Sequence, residues 1–226
     1  MRLLVKFPTR GRWDKFFKLL KQYHDLAEDK NNVLFAVTCD INDHTKPSNI
    51  AERIEGITNI TVVSGISTGK IHACNRDMEM FEDWDIVILA SDDMIPQVKG
   101  WDTRIRKDME QNFPDTDGVL WYNDGYTKDK LNTMCILGKK YFDRFGYIYH
   151  QDYISLWCDN EFTDVSKILK KVVYSNDVLF KHEHPANNGT KNDSLYLQNE
   201  KYYNIDKETY LKHKKLNFGL NEVLAK

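Results

Sequence analysis

The sequence has 226 residues, 41% of them hydrophobic and 29% charged, which describes an ordinary soluble globular chain long enough for one large domain and its core. Its formal net charge of −2 lacks the basic excess of a protein that grips nucleic acid through phosphate contacts, and no run approaches a membrane span. Cys39, Cys74, Cys135 and Cys158 are scattered without a Cys-x-x-Cys pair, so neither a zinc ribbon nor a disulfide framework is expected, and reduced thiols in a cytosolic compartment are.

Met1 to Phe7 is too short and too interrupted for a signal peptide. Leu3 to Phe7 instead reads as a first strand ended by Pro8, followed by the polar loop Thr9-Arg10-Gly11-Arg12. From Trp13 the spacing predicts a helix with Trp13, Phe16, Phe17, Leu20 and Ala27 on one stripe. Val33 to Thr38 makes a second strand leading into Asp40 and Asp43, Ser48 caps a short helix reaching Ile54, and Ile60 to Val63 makes a third strand. Gly65 to Gly69 is a loop and Lys70 to Phe81 is helical.

The next stretch, Asp85 to Leu89, is apolar and β-branched, as suits a strand buried on both faces of a parallel sheet. It leads to Asp92 and Asp93, and with Pro96 close behind, the strand is expected to stop near Ser91 and open into a loop. Four strand–helix alternations at short spacing predict an α/β fold with a mostly parallel sheet. Beyond it the sequence predicts a helix from Trp101 to Gln111 and strands at Val119–Tyr122 and Thr133–Leu137. A helical region from Lys139 to Lys171, broken near Gly146, and short strands at Val172–Tyr174 and Val178–Phe180 come next. The lysine-rich remainder reads as a loop and a surface helix, whose Lys212, Lys214 and Lys215 suit a solvated face or an anionic acceptor or membrane surface.

Polar residues fall where the first four strands end: Thr9 and Arg10, then Asp40 and Asp43, then Lys70, then Asp92 and Asp93. Adjacent parallel strands place such residues along one rim. Carboxylates on one flank and cations on the other suit a nucleoside diphosphate with a bridging metal. Asp40 suits a base N–H or a ribose hydroxyl, and Lys70 and Arg10 suit carbonyl or phosphate oxygens.

From Leu3 to Pro185 the chain resembles the GT-A fold glycosyltransferases, particularly the family 2-like group. The pieces that carry the resemblance are Pro8-Thr9-Arg10-Gly11-Arg12, Asp40, Gly69-Lys70-Ile71-His72-Ala73-Cys74-Asn75, Leu89-Ala90-Ser91-Asp92-Asp93, Asp159-Asn160-Glu161-Phe162 and His182-Glu183-His184-Pro185, in that order. The resemblance implies a nucleotide-binding half over residues 1–95, an acceptor half over residues 96–185, and a C-terminal loop and helix over residues 186–226. Within the last of these, Asn187 to Asp193 is expected to act as a lid.

The same resemblance assigns donor binding to Thr9, Arg10, Asp40, Lys70, Asn75 and Asp92, with Asp92 at the ribose or in water-mediated contact with the metal. It makes Asp93 a metal ligand and gives the late histidine ligand to His184 or His182. The ion is Mn²⁺ or Mg²⁺, and imidazole tilts the choice toward Mn²⁺. Ala90 stands where the family's usual motif has its first Asp. Asp159, or else Glu161, is the base that deprotonates an acceptor hydroxyl in an inverting transfer from a nucleotide sugar, UDP-linked, to a glycan or similar acceptor. Both acids also suit simple capping of a helix N-terminus, and Trp157 suits either an acceptor sugar face or the core. A peripheral place at a membrane is compatible with this reading.

Three other readings share these residues. A nucleotidyltransferase also uses an α/β sheet, a metal and carboxylates, but the Thr9-to-Arg12 loop lacks its glycine-rich phosphate cradle. A non-catalytic sugar-nucleotide or glycan-binding module fits the Ala90 departure. An interaction protein would use Tyr196 to Tyr210 as its contact surface.

Overall fold

The computed structural model describes residues 1–183 and 194–223, with side chains described for 1–183 and 197–221. A seven-stranded sheet has the order β3-β2-β1-β4-β7-β6-β8. Its strands are β1 (Leu3–Thr9), β2 (Val33–Asp40), β3 (Ile60–Gly65), β4 (Ile86–Leu89), β6 (Val119–Tyr122), β7 (Ile136–Gly138) and β8 (Val172–Ser175). β3, β2, β1 and β4 run parallel, β7 is antiparallel to both its neighbours, and β8 is parallel to β6. The sheet is therefore the mostly parallel one expected in the first half, with an antiparallel strand inserted in the second.

β1 alternates its side chains between two cores. Leu3, Val5 and Phe7 face α1 (Trp13–Leu26) and α4 (Trp101–Asn112), where Phe16, Tyr23, Trp101 and Ile105 are fully buried. Leu4 faces the opposite layer of α3 (Lys70–Asn75), α5 (Lys139–Phe145) and α6 (Cys158–Ile168), with Ile71, Tyr141 and Phe162. Lys6 shares that second face and is wholly buried, its ammonium donating to Thr38 Oγ1 and, at 2.6 Å, to the Arg76 carbonyl. Burial lowers its pKa to about 8, with Asp77 pulling the other way. All four cysteines are free and buried.

Several sequence expectations shift in the structure. β1 runs through Pro8 to Thr9 instead of stopping at Pro8. Lys6 bonds on the β4 side, where its carbonyl accepts from Ala90 N. Pro8 points the same way, past the last β1–β4 pair, Lys6 with Leu89, so its missing N–H has no ladder partner to deprive. The helix expected from Lys70 to Phe81 breaks after Asn75 and resumes only as one 3₁₀ turn at Met78–Met80, with Asp77 left-handed between them. The region from Lys139 to Lys171 is two helices separated by an irregular stretch that starts at Gly146.

Met94–Pro96 is not loop but a short strand, β5, antiparallel to β9 (Phe180–His182). Pro96 is tolerated because this ribbon has only two strands and Pro96 ends it. After residue 193 come α7 (Ser194–Glu200), α8 (Tyr203–Lys215) and α9 (Leu220–Val223). Among the described residues, no helix is long and apolar enough to cross a membrane.

Candidate active site

The C-terminal ends of β1, β2 and β4 open into a cavity of about 440 Å³. Pro8, Thr9, Arg10 and Arg12 line it from the β1 loop, Asp40 and Asn42 from β2, Gly69 and Lys70 from the start of α3, and Ser91, Asp92 and Asp93 from the end of β4. Opposite them stand Tyr149, Ile154, Ser155, Leu156 and Asp159, with His182 from β9, Gln198, Asn199 and Glu200 from the first helix after residue 193, and Tyr202 from the turn that follows it. The strand order makes this rim: β1 lies between β2 and β4, so their three loops are adjacent.

The acid pair is held from several sides. Past Ala90 the chain turns tightly, Met94 N donating to the Ser91 carbonyl at 3.2 Å. The Ser91 hydroxyl donates to Asp93 Oδ1, and Arg12 Nη1 lies 3.0 Å from Asp92 Oδ1. Asp92 is raised above the ordinary carboxylate range by burial, against the attraction of Arg12 and with the repulsion of Asp93. The β5–β9 pairing places Met94 opposite His182 and leaves His182 Nε2 3.6 Å from Asp93 Oδ2. Behind the ring, His182 Nδ1 is 3.7 Å from Asp124 Oδ2. Asp124 is itself fixed by the N–H groups of Tyr126 and Thr127 and the hydroxyls of Thr127 and Thr133.

Burial disfavours a charged His182, but its close approach to the carboxylates of Asp124 and Asp93 outweighs this and raises it to about 9. A group raised in this way stabilises the fold fully below its unfolded value, about 6.5. That contribution is lost as pH climbs through the folded value. Without divalent ions, stability to urea should therefore decline by on the order of 2–3 kcal/mol between these pH values. His182→Gln should remove the decline, and equal slopes in wild type and variant would contradict the pairing.

The donor set fits a divalent ion. Two bonds of about 2.1 Å at right angles put neighbouring ligand atoms roughly 3 Å apart, and the carboxylate oxygen and imidazole nitrogen stand 3.6 Å apart. An ion would take the place of the imidazolium proton, so its binding releases a proton. His184, the other histidine expected as a ligand, lies outside the described residues, as does the lid expected over Asn187 to Asp193.

On the β2 side of the cavity, Arg10 Nη1 contacts Asp40 Oδ2 at 2.6 Å and Asn42 Oδ1 at 2.8 Å. Asp43 does not line the cavity. It ties the β1 loop down by accepting from Gly11 N and Trp13 Nε1, each at 2.9 Å, and from Thr45. Burial would raise it, but these donors bring it down to about 2.

Lys70 and Asp159 face each other across the site. Ile71 N donates to the Ile154 carbonyl, and a Cβ on Gly69 would sit 3.1 Å from that same oxygen, so the start of α3 packs directly on the wall that leads into α6. Lys70 is exposed to the cavity; partial loss of hydration there works against its charge, yet its pKa rises because acids around it, Asp93 and Asp159 among them, favour the ammonium. Asp159 is raised by burial, opposed by Lys70 and by Asn160, whose N and Nδ2 donate to Asp159 Oδ1 at 3.0 and 3.1 Å.

Two sequence candidates lie elsewhere. Asn75 does not line the cavity; it locks the irregular stretch after α5 by donating to the Tyr149 carbonyl at 2.6 Å and accepting from Ile148 N and Tyr149 N. Glu161 is also outside, buried against the Tyr153 hydroxyl and His213. A first-turn position two residues from Asp159 points away on a helix, which is why only one of the two acids faces the cavity. Trp157 packs on Tyr203 and Tyr210, ring centroids 5.5 and 5.2 Å away, and not in the cavity. Its φ of 62° is a strained left-handed turn into α6.

The sequence reading passed over Arg12, legible as the second arginine of its loop, and the wall from Ile154 to Leu156. That wall is held by Asp206 of α8, fully buried, whose carboxylate accepts from Ile154 N, Ser155 N and Leu156 N at 2.9, 2.9 and 2.7 Å. Asp206→Ala strands three backbone donors. Unfolding free energy should fall by about 3 kcal/mol or more in urea titrations, and a change under about 1 kcal/mol would show α8 to be dispensable.

No family model matches the sequence, and no curated protein matches it. Solved structures do match. A mannosyltransferase, PcManGT, from Pyrobaculum calidifontis in complex with GDP-Man and Mn²⁺ superposes with a TM-score of 0.65 at 15% identity over 80% of this chain and 56% of its own. S. aureus TarS gives 0.64 at 16% identity over 82% of this chain and 37% of its own. Residues 1–349 of TarS in complex with UDP-GlcNAc give 0.62 at 14% identity over 80% and 57%. The chain has the GT-A fold of these structures and spans a little over half the length of the mannosyltransferase.

Proposed function

We propose that this chain is a glycosyltransferase that moves a sugar from a nucleoside-diphosphate donor to an acceptor hydroxyl, with a divalent ion and inversion at the anomeric carbon. The observation that carries the reading is the meeting, in one cavity, of the Asp92–Asp93 pair with His182, the Arg10–Asp40 pair and Lys70, and Asp159 on the facing wall. The ligands of the superposed structures, GDP-Man with Mn²⁺ and UDP-GlcNAc, support it. Residues 1–95 then serve the nucleotide and residues 96–185 the acceptor, with the C-terminal helices closing the acceptor side.

In this reading Asp40 and Arg10 meet the base or ribose, Thr9 lines their edge of the pocket, and Asp92, braced by Arg12, serves the ribose side. Asp93 and His182 would hold Mn²⁺ or Mg²⁺, whose charge would offset that of the departing diphosphate. Lys70 adds a second positive charge on the same flank. Asp159 accepts the acceptor's proton. Its burial-raised pKa makes it a stronger base than an ordinary surface carboxylate. Glu161, committed to Tyr153 and His213, is not given that role.

The test is incubation with UDP- and GDP-linked sugars and Mn²⁺, with and without glycan acceptors, reading the released nucleotide. Release of nucleoside diphosphate above background supports transfer. Release of pyrophosphate from a sugar phosphate and a nucleoside triphosphate would favour nucleotidyl transfer instead. Binding without any release would favour a non-catalytic module.

A further inference from the structure

A second cluster of ligating side chains lies behind the cavity wall, where the stretch after α5 meets α6 and α8. His213 Nδ1 is 2.8 Å from Glu161 Oε2, and its Nε2 is 3.1 Å from Asp152 Oδ2. The Tyr153 hydroxyl donates to that same Glu161 oxygen at 2.6 Å. His150 stacks edge-on against His213, ring centroids 4.4 Å apart, with its Nδ1 4.0 Å from Asp152 Oδ1. One ligand atom from each of His150, Asp152 and His213 lies within 4.8 Å of the others.

We propose that His150, Asp152 and His213 bind a single borderline divalent ion, Zn²⁺ foremost, with Glu161 and Tyr153 orienting the His213 ring. Two imidazoles and a carboxylate are donors that such ions favour over Mg²⁺ or Ca²⁺. A tetrahedral ion with bonds of about 2.1 Å sets its ligands roughly 3.4 Å apart. The 3.1 Å between His213 Nε2 and Asp152 Oδ2 is close to that value.

The carboxylate behind the imidazole is the arrangement that fixes a ligating ring: with the proton on Nδ1 and given to Glu161, the Nε2 lone pair would point at Asp152. Two electron-rich atoms facing each other call for a cation between them. His150 Nδ1 accepts the Asp152 backbone N–H at 3.2 Å, a contact that an ion on Nδ1 would replace. Three protein ligands leave one position for water. The ion ties α8 to the segment just before Ile154, so it stiffens the cavity wall without touching donor.

The test uses tag-free full-length protein, stripped with chelator, carrying Asp93→Asn so that the cavity cannot contribute. Zn²⁺ is titrated by calorimetry and the bound metal counted by elemental analysis. One equivalent should bind with a rise in Tm, since an ion that binds only the folded state stabilises it. His150→Gln and Asp152→Asn, both at solvent-accessible positions, should each weaken Zn²⁺ at least about tenfold, and Glu161→Gln roughly 10–100-fold. Circular dichroism of the stripped variants should match the parent. No uptake at about 100 μM Zn²⁺, or equal uptake in His150→Gln and Asp152→Asn, overturns the site and leaves a metal-free hydrogen-bonded network.

Discussion

Asp93→Asn should lower transfer by about 10³-fold while leaving the fold intact. The asparagine keeps what the local structure uses: its side-chain oxygen still accepts from the Ser91 hydroxyl, and its carbonyl still accepts from Glu183 N at 2.8 Å. His182 also retains Asp124. What disappears is the negative charge that would hold a dication beside His182, and with it the charge stabilisation of the leaving diphosphate. Removing one group that stabilises developing charge costs on the order of 10²–10³ in rate, and losing an ion places the effect at the upper end. The comparison is nucleoside diphosphate release by the two proteins in saturating Mn²⁺, with Tm as the check on folding. Wild-type turnover in the variant would remove Asp93 from the site.

The second large effect belongs to Asp159. Asp159→Asn is isosteric, and its side-chain oxygen still accepts from both Asn160 donors, but it takes up no proton at any working pH. Turnover should fall by about 10²–10⁴-fold, the usual worth of a positioned base, with donor affinity changed little because Lys70 still has Asp93 nearby. Wild-type turnover should drop on acidification through one ionisation placed above the ordinary carboxylate range, since burial raises Asp159. Below that pKa the base is protonated and idle. Glu161→Gln should cost turnover far less, because Glu161 lies outside the cavity. Loss of donor affinity alone in Asp159→Asn, or an equal loss of turnover in Glu161→Gln, would contradict the assignment.

What was legible in the sequence depended on how local its cause is. The apolar run before Asp92 could only be a buried strand, and the Trp13–Leu26 stripe follows helical spacing, so both appear as expected. The rim of strand-end residues followed from parallel order alone, which brought Arg10, Asp40, Lys70, Asp92 and Asp93 to one cavity. The neighbourhood of Asp93 and His182 follows instead from the pairing of two three-residue strands. Pro96 argued against that pairing by local rule, and only the two-stranded ribbon makes it tolerable. Asp206 gave no signal, because an acid in a lysine-rich helix looks solvated until the three amides it caps are brought to it. Asn75 and Glu161 had the right residue type beside a motif, but their direction on the helix was decided by packing.

A metal-dependent nucleotide site built on Asp93 is tested most directly by binding. Unfolding temperature is measured across UDP, GDP and their sugar conjugates, each with and without Mn²⁺, for wild type and Asp93→Asn. At least one nucleotide should raise Tm only when Mn²⁺ is present, and that shift should vanish in the variant. No shift with any nucleotide, or the same shift in both proteins, would contradict the site.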